Sequence, residues 1–160
     1  MNNINIGLIV DRSGSVENEK IALENSINLL IESFKRKYKE SINLNVLLVI
    51  LESDDLSIQD NNLKNINLEK IGLKDKSIKE TLEIIEEKFE KLEGDKKIIL
   101  FSDGYFEDED NRFLNQRKRS KENEIEYISV GIGEGYRKII LEKFSTNGVI
   151  FEYQDIYDFI

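Results

Sequence analysis

The sequence predicts an α/β fold with a doubly wound, mostly parallel sheet and helices on both of its faces. Short runs that are apolar at every position are typical of strands buried on both sides, as in parallel sheets. These runs alternate with longer stretches in which apolar residues recur every three or four positions, as in amphipathic helices. The chain has 160 residues without a repeat or a linker, so we expect a single domain over residues 1–160.

The first half of the chain predicts three strands and one helix. Ile4–Val10 indicates a buried strand, and Glu17–Tyr38 indicates a helix because its apolar residues form one stripe. A second buried strand is predicted at Leu44–Leu51. The segment Asp54–Leu73 is polar, and we expect in it one short edge strand near Asn65–Leu68. The stripe of the helix consists of Leu23, Ile27, Leu30, Ile31, Phe34 and Tyr38.

The second half opens with the clearest helix of the sequence, Ser77–Leu92. Ser77 and Glu80 form a Ser-x-x-Glu capping box at its start, and Gly94 is placed to end it. The remaining predicted elements are a strand at Lys97–Phe101, a polar helix at Asn111–Lys121, a strand at Ile125–Ile132, a helix at Tyr136–Phe144, a strand at Val149–Tyr153 and a terminal turn or short helix at Ile156–Ile160.

The residue types that the chain lacks narrow its chemistry. It has no cysteine and no histidine, which excludes disulfides, thiol catalysis, a Ser-His-Asp hydrolase and a zinc site of the ordinary type. Carboxylates and hydroxyls are left, and such hard oxygen ligands suit Mg²⁺, Mn²⁺ or Ca²⁺. Because the usual general base is missing, we do not expect an enzyme.

The charge balance argues against two classes of partner. The chain carries 23 basic and 32 acidic residues, a net charge of −9, whereas nucleic acids and anionic lipids attract basic surfaces. No apolar run approaches the roughly 20 residues of a membrane helix, and no targeting pattern is visible. We therefore expect a cytoplasmic protein that binds neither nucleic acid nor membrane.

Acidic residues follow two of the predicted strands. Asp11 opens the sequence Asp-Arg-Ser-Gly-Ser after the first strand, and Asp103 lies in a Ser-Asp-Gly sequence after Lys97–Phe101. Neighbouring strands lie about 4.8 Å apart, so the two carboxylates would repel each other if these strands are neighbours. A divalent cation, with the Ser13 and Ser15 hydroxyls as further ligands, would remove the repulsion. On spacing alone, a plain strand-to-helix turn capped by Ser15 explains the first motif better. The Ser-Asp-Gly motif in the predicted position is what favours the functional interpretation.

Together the two motifs resemble the von Willebrand factor A (VWA) domain, which has a Rossmann-like fold, over nearly the whole chain. In that family an Asp-x-Ser-x-Ser motif, a Thr from a second loop and the Asp of a Thr/Ser-Asp-Gly turn form the metal-ion-dependent adhesion site (MIDAS). A partner's carboxylate commonly completes the coordination. The resemblance implies Mg²⁺ or Mn²⁺, with Ca²⁺ left open. The implied metal ligands are Asp11, Ser13, Ser15 and Asp103.

One ligand position departs from the family pattern. The Thr of the second loop usually lies in a Gly-Gly-Thr turn, but Lys76 takes that place here. Three alternatives stay open. Ser77 coordinates the metal although its hydroxyl is also expected to cap a helix, or Asp75 coordinates it. In the third alternative the Lys76 ammonium neutralises Asp11 and Asp103, and no metal binds.

The resemblance implies a protein–protein interaction module bridged by a divalent cation to an acidic residue of the partner. Small stand-alone cytoplasmic VWA proteins, including those that act beside AAA+ ATPases, are the nearest in layout, so an AAA+ ATPase system is one expected partner. A scaffold domain with a degenerate site is the first alternative. The second is a metal-dependent phosphohydrolase, with Asp11 or Ser13 as nucleophile, which the missing general base disfavours.

Two further features lie on the rim of this predicted site. The acidic run Glu107–Asp110 either concentrates cations or complements a helix N-terminus, and we prefer the second interpretation. Tyr105 and Phe106 are expected to be exposed beside the site as interface anchors, with packing against a neighbouring loop as the alternative.

Overall fold

The computed structural model describes residues 2–11, 17–37, 42–51, 66–72, 77–106, 108–116, 125–132 and 135–152. Strands and helices alternate along these residues, except that the second and third strands follow one another with no described helix between them. The strands are β1 (Asn2–Asp11), β2 (Ile42–Leu51), β3 (Ile66–Gly72), β4 (Asp95–Ser102), β5 (Ile125–Gly131) and β6 (Ile150–Glu152). The helices are α1 (Glu17–Lys37), α2 (Ile78–Glu90), α3 (Asp108–Gln116) and α4 (Lys138–Phe144).

The six strands form one sheet in the order β3-β2-β1-β4-β5-β6. Each of the five strand pairs is parallel. From β1 the chain moves outward to β2 and β3, and it then returns to the other side of β1 for β4, β5 and β6. The predicted doubly wound α/β fold is therefore confirmed. The strand order reverses between β1 and β4, and a crevice opens at the carboxyl ends of the strands at such a switch point.

Apolar helix faces cover both sides of the sheet. On one side, four residues of the predicted α1 stripe pack on β1, β2, β4 and β5 and are buried: Ile27, Leu30, Ile31 and Phe34. On the other side, α2, α3 and α4 pack on the opposite side chains of the same strands. Burial of each such large apolar side chain contributes about 1.5–3 kcal/mol, so these two layers fix where the strand ends lie.

Helix α2 begins as its capping box predicts. The Glu80 N–H donates a 3.1 Å hydrogen bond to the Ser77 hydroxyl, and Ser77 is the N-cap residue. The helix ends at Glu90, before the predicted end, which leaves Leu92 exposed. Gly94 therefore serves the turn into β4: its φ is +103°, and a Cβ there would lie 2.0 Å from the Asn3 carbonyl oxygen.

An asparagine ladder, which no local sequence pattern predicts, joins the amino ends of β1 and β2. The Asn45 amide donates to Asn5 Oδ1 at 2.9 Å, and the Asn43 amide donates to Asn3 Oδ1 at 3.2 Å. The fully buried Asn5 also donates to the Glu93 carbonyl oxygen at 3.0 Å. A shift of one residue would separate these pairs, so the ladder favours the observed register.

The predicted element boundaries differ from the observed ones in a few places. The strand predicted at Asn65–Leu68 is β3, which extends to Gly72. Tyr136 precedes α4 instead of belonging to it. The predicted terminal element, Ile156–Ile160, lies outside the described residues. None of the helices in the part of the chain that the structure describes is long and apolar enough to cross a membrane.

Candidate functional site

Asp11 lies at the carboxyl end of β1, at the switch point of the sheet. The register pairs Val10 with Phe101, which brings the next residues, Asp11 and Ser102, side by side. The Ser102 hydroxyl donates a 2.9 Å hydrogen bond to Asp11 Oδ2, and both side chains are buried, with Asp11 only 4% exposed. A buried carboxylate is costly unless it is hydrogen-bonded or paired, so this contact supports the charged side chain and fixes its orientation.

The Ser102-Asp103-Gly104 turn begins at the last residue of β4. The Gly104 N–H donates to the Ser102 hydroxyl at 3.0 Å, and the Tyr105 N–H donates to Asp103 Oδ1 at 3.0 Å. Ser102 thus accepts a hydrogen bond from its own turn while it donates one to Asp11. The strands that carry Asp11 and Asp103 are neighbours, which is the condition on which the predicted meeting of their carboxylates depends.

The same turn is hydrogen-bonded to the residue that follows β5 and to the residue that precedes α4. The Ile132 N–H donates to the Ser102 carbonyl oxygen at 3.0 Å, and the Arg137 N–H donates to the Asp103 carbonyl oxygen at 2.6 Å. Gly104 has a φ of +79°, and a Cβ there would lie 2.9 Å from the Arg137 carbonyl oxygen. Only glycine suits both this backbone conformation and this close contact. The position of Asp103 is therefore set from three sides, by β4, β5 and the start of α4.

The structure describes three of the seven predicted site residues. Asp11 and Asp103 lie at the switch point, and Ser77 is the N-cap of α2. The Ser77 hydroxyl accepts from Glu80 N, as the capping box requires, and it also lies 3.4 Å from Glu80 Oε1, to which it donates. The other predicted ligands and substitutes lie outside the described residues, so their roles stay predictions: Ser13, Ser15, Asp75 and Lys76.

The donors at the switch point fit a hard cation. Asp11 accepts a hydrogen bond from the Ser102 hydroxyl, and Asp103 accepts one from the Tyr105 N–H. No group of three or more acidic residues that could hold a metal ion by carboxylates alone occurs within the described ranges. A cation at this edge would therefore need neutral oxygens beside the two carboxylates, and the hydroxyls predicted at Ser13 and Ser15 are of that kind.

The rim of the site differs in part from the sequence prediction. Tyr105 is 60% exposed, as predicted, whereas Phe106 is partly buried and packs against the core beneath α2, α3 and α4. Helix α3 begins at Asp108, so Asp108–Asp110 of the acidic run lie at a helix N-terminus, in line with the preferred interpretation. Asp110 also accepts a 3.4 Å hydrogen bond from the Lys79 N–H at the start of α2.

Sequence reasoning missed two residues that set this geometry. Ser102 was recognised as part of a motif, but its position opposite Asp11 requires the strand register. Arg137 acts through its backbone N–H, and no local sequence pattern predicts that contact. One signal for Ser102 was present in the sequence. Ser102 directly precedes Asp103 at the end of β4, so any sheet that pairs β4 with β1 places its hydroxyl near the end of β1.

Comparison with known proteins identifies the fold. No protein-family model and no curated protein sequence matches the chain. Among solved structures, the ArnB paralog VWA2 from Sulfolobus acidocaldarius superposes over 99% of this chain and 44% of its own, with a TM-score of 0.57 and 22% identity. The manganese-loaded TRAP protein of Plasmodium vivax superposes over 98% of this chain and 71% of its own, with a TM-score of 0.59 and 15% identity.

A third similar structure is proximal thread matrix protein 1 from the mussel byssus, which matches 98% of this chain and 43% of its own at a TM-score of 0.56 and 14% identity. The chain thus spans less than half of the Sulfolobus and mussel proteins. The first two structures are VWA domain proteins. The fold of the chain is that of a VWA domain.

Proposed function

We propose that the protein is an interaction module that binds an acidic residue of a protein partner through a divalent cation at the edge formed by Asp11 and Asp103. The observation that carries this proposal is the buried Asp11 carboxylate at the switch point, oriented by the Ser102 hydroxyl beside the Asp103 turn. The VWA fold and the manganese-loaded state of TRAP support it.

Each residue has a separate role in this proposal. Asp11 and Asp103 supply the charged ligands, and Ser13 and Ser15 supply hydroxyl oxygens, as the resemblance to the MIDAS implies. Ser102 keeps the Asp11 carboxylate in one orientation. A bound Mg²⁺ or Mn²⁺ would supply the Lewis acidity that attracts a carboxylate of the partner. The same proposal places the protein in the cytoplasm and includes an AAA+ ATPase system as one partner. It assigns no catalytic activity to the protein.

A thermal melt in EDTA, repeated with Mg²⁺, Mn²⁺ and Ca²⁺, tests the cation site. A ligand at a hundredfold its Kd adds about 2.7 kcal/mol to the stability of the native state. For a chain of this size, that is a rise in the melting midpoint of about 5–11 °C. We expect a saturable rise in the wild type that is absent from Asp103→Ala.

Glu109→Ala is the matched control for this melt. Glu109 is an exposed acidic residue near the same edge, in the first turn of α3, so its loss should leave the cation-dependent rise intact. A midpoint that no ion changes in the wild type would contradict the cation site and support the metal-free scaffold, with Lys76 in the place of the cation.

A further inference from the structure

The turn between α4 and β6 carries the single Asn-Gly sequence of the chain, Asn147-Gly148. Both residues are exposed, and a Cβ at Gly148 would meet no heavy atom beyond its chain neighbours within 4 Å. Asparagine is one of the chemically labile residues of proteins. A glycine after it leaves the backbone nitrogen between them accessible, because glycine has no side chain. The sequence therefore places a reactive pair at an open point of the surface.

The hydrogen bonds of this turn hold the Asn147 side chain against its own backbone. The Val149 N–H donates to Asn147 Oδ1 at 3.0 Å, and the Ser145 hydroxyl donates to the same oxygen at 2.8 Å. The bond from Val149 closes an Asx turn. The ring that it closes contains both Asn147 Cγ and the Gly148 nitrogen, so these two atoms stay close together. The Gly148 N–H donates a long, weak hydrogen bond of 3.4 Å to the Ser145 carbonyl oxygen, so its nitrogen is easily released for reaction.

We propose that Asn147 deamidates spontaneously in the folded protein, and that the Ser145 hydroxyl and the Val149 N–H assist the reaction. Hydroxide removes the proton of the Gly148 N–H, and the nitrogen attacks Asn147 Cγ. The new N–Cγ bond closes a cyclic imide when the Cγ–Nδ2 bond breaks, and Nδ2 leaves as ammonia after taking a proton from water, which restores the hydroxide. Water then opens the imide at either carbonyl carbon and gives aspartate or isoaspartate. Negative charge develops on Oδ1 in the attack, and the two donors already contact that oxygen, as donors do in an oxyanion hole.

The Asp103-Gly104 pair has a similar turn but a closed environment. Asp-Gly sequences form the same imide with loss of water, and Asp103 Oδ1 also accepts the N–H of the residue two positions on. Gly104 is buried, however, and its N–H donates a 3.0 Å hydrogen bond to the Ser102 hydroxyl. A Cβ at Gly104 would lie 2.9 Å from a backbone oxygen, so the turn is tightly packed. The Asp-Gly pair is therefore an internal control that should not react.

The two products differ in their effect on β6, because the turn is attached to β5 on both sides. The Thr146 N–H donates to the Tyr127 carbonyl oxygen at 2.8 Å, and the Thr146 hydroxyl accepts from the Tyr127 N–H at 2.7 Å. Beyond the turn, Ile150 pairs with Ser129. Isoaspartate lengthens the main chain between these attachments and should weaken the pairing of β6. Aspartate keeps the length of the main chain and an acceptor for both donors, and it adds one negative charge to the net charge of −9.

Incubation of the purified full chain in mildly alkaline buffer, followed by peptide mass spectrometry and labelling with a protein isoaspartyl methyltransferase, tests the proposal. We expect isoaspartate at Asn147 and none at Asp103. The folded chain should react at least as fast as the chain unfolded in urea. In the folded state Ser145→Ala should react about tenfold more slowly than the wild type, less than the roughly 100- to 1,000-fold of an oxyanion donor in a closed active site, because this turn is exposed. In urea the two chains should react equally fast.

Gly148→Ala is the matched control, because a methyl group beside the attacking nitrogen hinders the attack in the folded and the unfolded chain alike. It should slow the formation of isoaspartate by about tenfold or more in both states. The inference is overturned if the folded wild type keeps its amide while the unfolded chain loses it, or if Ser145→Ala reacts like the wild type. Isoaspartate that forms at Asp103 as fast as at Asn147 would also overturn it.

Discussion

Removal of the Ser102 hydroxyl should lower the stability of the fold and the affinity for the cation together. In Ser102→Ala the buried Asp11 carboxylate loses a 2.9 Å donor, and the Gly104 N–H loses a 3.0 Å acceptor. A hydrogen bond to a charged group contributes about 1.5–3 kcal/mol, and one between neutral groups contributes about 0.5–1.5 kcal/mol. Because both hydrogen bonds are lost with the one hydroxyl, we expect the free energy of unfolding to fall by about 2–4 kcal/mol.

Urea denaturation in EDTA measures this loss without a contribution from a bound cation. Ser129→Ala is the matched control, because Ser129 is also fully buried but donates to the neutral Leu141 carbonyl oxygen, which keeps a second hydrogen bond from the Ser145 N–H. Its loss should cost about 1 kcal/mol and leave cation binding unchanged. If Ser102→Ala is no less stable than Ser129→Ala and binds the cation normally, the role assigned to Ser102 is wrong.

Two further substitutions test the geometry of the fold around the site. Gly104→Ala should be more destabilising than Gly148→Ala: both glycines have a positive φ, but a Cβ at Gly104 would lie 2.9 Å from a backbone oxygen and one at Gly148 would meet open space. The positive φ costs about 1–2 kcal/mol in both variants. If the two variants lose the same free energy of unfolding in urea denaturation, the close contact at Gly104 is refuted. Ser77→Ala should cost about 1 kcal/mol through loss of the α2 cap, and a neutral result would contradict the capping box.

The sequence predicted the features of this fold that depend on local patterns. The period of the apolar residues identified the stripe of α1 and the buried strands, and the Ser77 capping box identified the start of α2. Asp11 and Asp103 could be placed at one edge of the sheet because parallel strands end together. These predictions needed only the spacing of residues along the chain.

Contacts between segments that are distant in the chain could not be predicted from the spacing of residues. The pairing of Asn5 with Asn45 depends on the β1–β2 register, and the bond from Arg137 to Asp103 joins two loops 34 positions apart. Phe106 was expected at the surface, but the course of the chain after the turn packs it against the second core. Such features are fixed by the tertiary arrangement, which no single segment encodes.

Titration of the protein with Mn²⁺, followed by electron paramagnetic resonance of the free ion, tests the central claim most directly. The account predicts one tight Mn²⁺ site per chain in the wild type. The site should be lost in Asp11→Asn, which preserves the size of the side chain and an acceptor for the Ser102 hydroxyl. No tight site in the wild type, or a site that survives in Asp11→Asn, would contradict the claim that this edge of the sheet binds a cation.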